Sequence, residues 1–188
     1  MKTYGSVATE MEIQAPARKA WALYGTVDLT VVTVPKYLAA VDIVEGDGGE
    51  GSIAKLTPLT GTTFTLSRLD IRFSFIPRVV LNSCLGCLYR QKCSPFYEKF
   101  TKVDNKHMVK ETEITQGGFL DLGFTLYRIR FENIPTGKKS CITRTTIEYE
   151  VKEEFVANLS RVSILPSINI AKDIEAYLLA HQEHEDCE

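Results

Sequence analysis

Between residues 96 and 152 apolar side chains recur at every second position, and turn-forming residues stand where the pattern breaks. A period of two belongs to a strand with one face buried and the other in water. The alternation predicts strands over 96–103, 107–116, 119–133 and 141–151, with Gly117-Gly118 and Pro135-Thr136-Gly137 as turns. Within the third, Leu120, Leu122, Phe124 and Leu126 share one face, and Tyr127, Ile129 and Phe131 then take it over. A slip of one residue exchanges the faces, so a bulge or sharp bend is expected at residues 125–127.

The rest of the chain supplies partners for such a sheet. Val7, Met11 and Ile13 share one strand phase, and further strands are expected from about 41 to 45 and from 52 to 57. Pro16 opens a short helix over 18–24 with Trp21 and Tyr24 on its buried side, and residues 29–38 form a second short helix or a turn. Near the end, Phe155, Leu159 and Val162 recur at helical spacing, and Ile170, Ile174, Tyr177 and Leu178 continue the stripe. One long helix kinked at Pro166 is expected there, with a frayed acidic tail from 183 to 188. The fold class is therefore α+β, an antiparallel sheet wrapped against one long helix.

Composition narrows the function. The chain has 188 residues and a formal net charge of −2, which suits one domain and argues against nucleic acid as a partner. No apolar run reaches the ~18 residues of a membrane span, and the first residues lack the apolar stretch of a secretion signal, so the cytosol is the expected compartment. Cys84, Cys87 and Cys93 crowd into one segment, but three thiols without a fourth ligand do not make a closed zinc site, and no metal is expected. His181 and His184 are read as a solvated helix end. The glycines from 46 to 51 lack the Lys-Ser/Thr that completes a phosphate-binding loop, so they are read as a structural turn.

Two ionisable residues stand out against the apolar phase. Phe96, Glu98 and Phe100 share a face, and on the next strand so do Met108, Lys110, Thr112 and Ile114. A three-residue loop at 104–106 would pair 100 with 110 and 98 with 112. Glu98 and Lys110 would then be diagonal neighbours, their backbones roughly 7–8 Å apart. A snorkelling lysine or a plain salt bridge explains such a pair as well as chemistry does.

The motifs Glu45-Gly46-Asp47-Gly48-Gly49-Glu50-Gly51-Ser52, Glu98-Lys99-Phe100, Val103-Asp104-Asn105-Lys106-His107 and Gly117-Gly118-Phe119-Leu120-Asp121-Leu122-Gly123 resemble the plant pathogenesis-related class 10 (Bet v 1-like) family. Ile147-Glu148-Tyr149-Glu150-Val151-Lys152 extends the match, which is strongest to the norcoclaurine synthase and norbelladine synthase branch. The resemblance implies a helix-grip fold: seven antiparallel strands around a long C-terminal helix, two short helices and an internal cavity. It also implies an alkaloid-pathway enzyme that condenses tyramine or dopamine with an aromatic aldehyde through an iminium ion, using no cofactor. In that branch the principal catalytic lysine falls at Lys110 and a catalytic carboxylate at Glu98. Phe96 and Tyr97 would shape the entrance, and Phe100, Met108, Thr112 and Ile129 would line the substrate space. Norcoclaurine synthases carry a tyrosine where this chain has Phe96 and an aspartate where it has Ile129, which weighs against ring closure and favours either simple imine condensation or a binding role. The alternative the resemblance leaves open is a non-catalytic carrier of phytohormones, flavonoids or alkaloids. Residues 61–95 add roughly thirty positions where the family has a short turn. They are read as an atypical insertion in a single domain spanning 1–188, either a lid or an unspliced-intron artefact.

Overall fold

The computed structural model describes residues 1–34, 36–59 and 94–182. Residues 61–93 of the proposed insertion, with the three clustered cysteines, and His184 and the acidic tail lie outside the described residues. The described chain runs β1 (Lys2–Ile13), α1 (Ala17–Tyr24), α2 (Leu29–Thr33), β2 (Leu38–Glu45), β3 (Ile53–Pro58), β4 (Phe96–Asp104), β5 (Val109–Gln116), β6 (Phe124–Pro135), β7 (Cys141–Lys152) and α3 (Leu165–Gln182). Short 3-10 turns occupy Leu120–Leu122 and Glu153–Arg161.

Seven strands form one antiparallel sheet in the order β1-β7-β6-β5-β4-β3-β2. Along β7 the residues alternate between buried and half-buried, so Cys141, Thr143, Thr145, Ile147 and Val151 face inward. The outer face is laced by charge. Arg128 reaches Glu113 at 2.8 Å, and Arg144 reaches Glu10 at 2.7 Å. The face expected to be wet is wet.

The phase change in the third predicted strand is real and has two parts. Leu120 and Leu122 are not strand residues but belong to the 3-10 turn, which ends at Gly123 with φ 87°. The strand begins at Phe124, and its register against β7 shifts between Phe124 and Leu126, at the expected bulge. A Cβ on Gly123 would collide with the Phe155 ring, so glycine is required there for both conformation and space.

The C-terminal expectation needs correction. The helix starts at Leu165, and residues 153–161 form a 3-10 segment that ends in extended backbone at Val162. Pro166 stands in the first turn of α3, where its missing N–H costs nothing, instead of kinking a longer helix. From there Ser167, Ala171, Ile174 and Leu178 make the buried stripe.

Among the described residues, two apolar clusters make up the core. The first joins Ile13, Ala20, Trp21 and Tyr24 to Ile174 and Leu178 of α3 and to Met108 and Cys141 at one end of the sheet. The second gathers Ile114, Phe124, Tyr127, Ile147 and Val151, with Phe119 stacked on Tyr127 at 3.8 Å. β5 crosses from one to the other: Met108 belongs to the first and Ile114 to the second. Lys110 and Thr112 lie between them. The seam of the core is polar.

Candidate active site

The β4–β5 hairpin decides how the candidate residues meet. Its loop has four residues, not three, because Asp104 pairs with Val109. The Asp104 carboxylate accepts the backbone N–H groups of Lys106 and His107, at 3.1 and 3.0 Å, which curls the loop, and the backbone and ring contacts of His107 hold the Asp104 pKa below the ordinary carboxylate value. Met108 closes the turn in the left-handed region at φ 55°. Trp21 donates its indole N–H to Asn105 at 3.0 Å, tying the loop to α1.

The longer loop and a register shift between Phe100 and Lys102 move the pairing by two or three residues from the expected one. Lys110 stands opposite Val103, Thr112 opposite Phe100, and Ile114 opposite Glu98. Glu98 and Lys110 are therefore not diagonal neighbours; Phe100 and Thr112 stand between them. The face assignment nevertheless holds. Lys110 is only 5% exposed and Thr112 4%, and Phe100 is buried beside them.

The lysine's side chain reaches towards Phe100 and α1, and its coupling to Glu98 is electrostatic, with no direct ion pair between them. Its Nζ lies 4.0 Å from the centroid of the Phe100 ring and donates a long, 3.4 Å hydrogen bond to the Thr26 carbonyl just past α1. Burial lowers the Lys110 pKa to about 8, with the Glu98 charge pulling the other way. Burial likewise pushes Glu98 up to about 7, opposed by Lys110 and by the Thr112 hydroxyl. Glu98 keeps some accessible surface while its carboxyl is enclosed enough for desolvation to dominate. Both groups thus exchange protons near neutrality, where acid–base chemistry is most efficient.

The surrounding residues sort by strand phase. Thr112 lies opposite Ile129, which packs against the second cluster. Phe96 joins that cluster too, covering Gly117 and Gly118. Met108 sits in the first cluster at the turn instead of on the strand. Tyr97 is the exception: it pairs with Lys55 between the inward Phe96 and Glu98, so it alternates onto the outer face. Sequence reasoning placed it at the entrance, and the strand phase removes it from the pair. Tyr127, which that reasoning did not select, comes within electrostatic reach of Glu98, and burial followed by that charge raises its phenol above the ordinary range. Its membership in the phase Tyr127, Ile129, Phe131 was the available signal.

Two open hollows are described, about 520 Å³ beside Met1, Lys152, Glu153 and Glu154 and about 330 Å³ among Thr30, Val31, Val34, Ala40 and Val41. Neither reaches Lys110 or Glu98, and neither is the internal cavity that the resemblance implies.

The profile of the Pathogenesis-related protein Bet v 1 family matches residues 89–181. Norbelladine synthase of Narcissus pseudonarcissus is 32% identical over 186 residues, covering 97% of this chain and 96% of the relative. The chain belongs to the Bet v 1 family. Among its Bet v 1 relatives, S-norcoclaurine synthase of Thalictrum flavum subsp. glaucum is 29% identical over 177 residues, which cover 92% of this chain and 70% of that one. The X-ray structure of norcoclaurine synthase from Thalictrum flavum in complex with dopamine and hydroxybenzaldehyde superposes with a TM-score of 0.71 at 28% identity, over 96% of this chain and 89% of that one. The seven strands and the C-terminal helix are thus the family's helix-grip fold.

Proposed function

We propose that this Bet v 1 chain condenses an arylethylamine of the tyramine or dopamine type with an aromatic aldehyde, Lys110 acting as general acid and Glu98 as general base. The observation that carries the reading is the inward placement of both groups at the polar seam, each with its pKa moved towards neutrality by burial. Relatives named as norbelladine and norcoclaurine synthases support it.

The chemistry calls for such a pair. The amine adds to the aldehyde to give a carbinolamine, whose hydroxyl must leave as water. The Lys110 ammonium supplies the proton that turns this hydroxyl into a leaving group, and an iminium ion results. Glu98 as carboxylate takes the N–H proton, releasing a neutral imine. Amine plus aldehyde thus give imine plus one water, and no cofactor enters. Ile129 stands where the norcoclaurine branch has an aspartate, so the imine rather than a cyclised product is the expected outcome. An apolar cavity over the pair would exclude water and hold both substrates together. On this reading residues 1–188 form one cytosolic domain with 61–95 as its insertion, working as a lyase-type synthase.

Purified protein mixed with tyramine or dopamine and a hydroxybenzaldehyde or hydroxyphenylacetaldehyde, with imine trapped by borohydride, tests the reading. Turnover lost in Lys110→Ala supports it; equal turnover in parent and variant overturns it. The carrier alternative is favoured by Phe96 and Ile129, which replace two polar groups of the norcoclaurine branch. Displacement of a fluorescent ligand without any turnover would establish it.

A further inference from the structure

Thr112 presents a buried hydroxyl that no described residue satisfies. The residue is 4% exposed, and its Oγ1 is sealed from solvent without a hydrogen-bond partner. An unpaired buried hydroxyl is costly, and valine would fill the same volume without that cost. Its position gives the cost a purpose. Thr112 lies on the inner face of β5 between Lys110 and Ile114, and Ile114 is the residue paired with Glu98. Across the strand on either side are Phe100 and Ile129, both apolar, so Glu98 and Lys110 are the polar groups along its line.

We propose that Thr112 is a positioning residue whose hydroxyl turns onto the Glu98 carboxylate when Glu98 gives up its proton, and so sets the strength of that base. The proposal rests on the reading of Glu98 as general base. In the neutral state the carboxyl needs no donor and the hydroxyl stays unpaired; in the ionised state a donor at this position stabilises the charge. The hydroxyl already lowers the Glu98 pKa without a hydrogen bond of ordinary geometry. Among the described residues, the titratable groups acting on Glu98 are Lys110 on β5 and Tyr127 on β6. Ala54 opposes Glu98 on β3. On α3, Asp173 is engaged by Lys36 and Tyr37, and Glu175 accepts the Gln14 N–H.

The test is a carbon-13 titration of Glu98 in the full chain labelled at glutamate carboxyls, the resonance assigned by its loss in Glu98→Gln. Thr112→Val is expected to raise the Glu98 pKa by about one unit, the effect of losing one charge-assisted hydrogen bond. Thr112→Ser, which restores the hydroxyl, is expected to return it to the parent value, and the acidic limb of kcat/KM is expected to follow both variants. Thr112→Val is also expected to melt at a higher temperature at pH 5, where Glu98 is neutral in either chain. An unchanged pKa in Thr112→Val, or a shifted one that Thr112→Ser does not restore, overturns the proposal. Because the titration needs no substrate, a restored shift in a chain without turnover supports the Thr112–Glu98 contact and counts against the condensing reading alone.

Discussion

Lys110 reaches past its own strand partner to set its ammonium 4.0 Å from the centre of the Phe100 ring, two strand positions from Glu98. The ring face partly replaces water around the cation, while no carboxylate makes a direct ion pair with it among the described residues. A lysine paired closely with a carboxylate would hold its proton firmly. One resting on an aromatic face, with a single long bond to a carbonyl, gives it up more easily.

Phe100→Leu is expected to remove that support while keeping the site apolar. The Lys110 pKa should fall below its present value of about 8, by about 0.4–1.5 units for a cation–π contact of about 0.5–2 kcal/mol. Titration of the carbon-13-labelled lysine side chain measures the shift.

Acid and base roles predict a bell-shaped dependence of kcat on pH. Glu98 acts as base only when ionised, so activity rises as pH passes about 7; Lys110 acts as acid only when protonated, so activity falls above about 8. The two limbs belong to the coupled pair and not to either residue alone. A profile that keeps rising through pH 9 would contradict these assignments.

The same shifts predict how stability changes with pH. Glu98 has a raised pKa in the fold, so its contribution is fully present below about 4.5, the unfolded value, and is lost as pH rises through about 7. Lys110 has a lowered pKa, so its contribution is present above about 10.5 and is lost as pH falls through about 8. Lys110→Met is therefore expected to be more stable than the parent at pH 7, by on the order of 1–3 kcal/mol, and the gain should shrink towards pH 10. Chemical denaturation at the two pH values reads the difference.

How far the chain could be read in advance depends on what each feature needs. Inward and outward faces follow from alternation alone, so the burial of Lys110, Thr112 and Phe100 was legible in the order of residues. Register was not. It depends on the Asp104 carboxylate curling a four-residue loop, on Met108 accepting a positive φ, and on an irregularity near Thr101, none of which leaves a periodic trace. The helix start was misplaced for a similar reason. Phe155, Leu159 and Val162 keep helical spacing, but extended backbone at Val162 interrupts them, and Pro166 fits a first turn as well as a kink.

Gly123→Ala tests the one turn on which the β6 phase rests. The residue has φ 87°, and an added methyl would meet the Phe155 ring. A loss of about 1–3 kcal/mol is expected, with the midpoint of thermal unfolding falling accordingly. Phe155→Ala in the same background should recover part of it, since the steric share of the cost is then removed.

Ile129→Asp would place a carboxylate opposite Thr112 on the neighbouring strand. The expected outcome is a rise in cyclised product relative to imine, with lower stability because a charge enters the second cluster. Product ratios by chiral chromatography, beside melting curves, check both halves.

The central claim is that Lys110 and Glu98 move the protons of an amine–aldehyde condensation. The most direct measurement is single-turnover imine formation at pH 7.5 by the parent, Lys110→Met and Glu98→Gln, each shown by fluorescence displacement to bind the amine equally well. Each variant is predicted to be slower by roughly 100-fold or more, the usual weight of a positioned acid or base. Either variant running within twofold of the parent would contradict it.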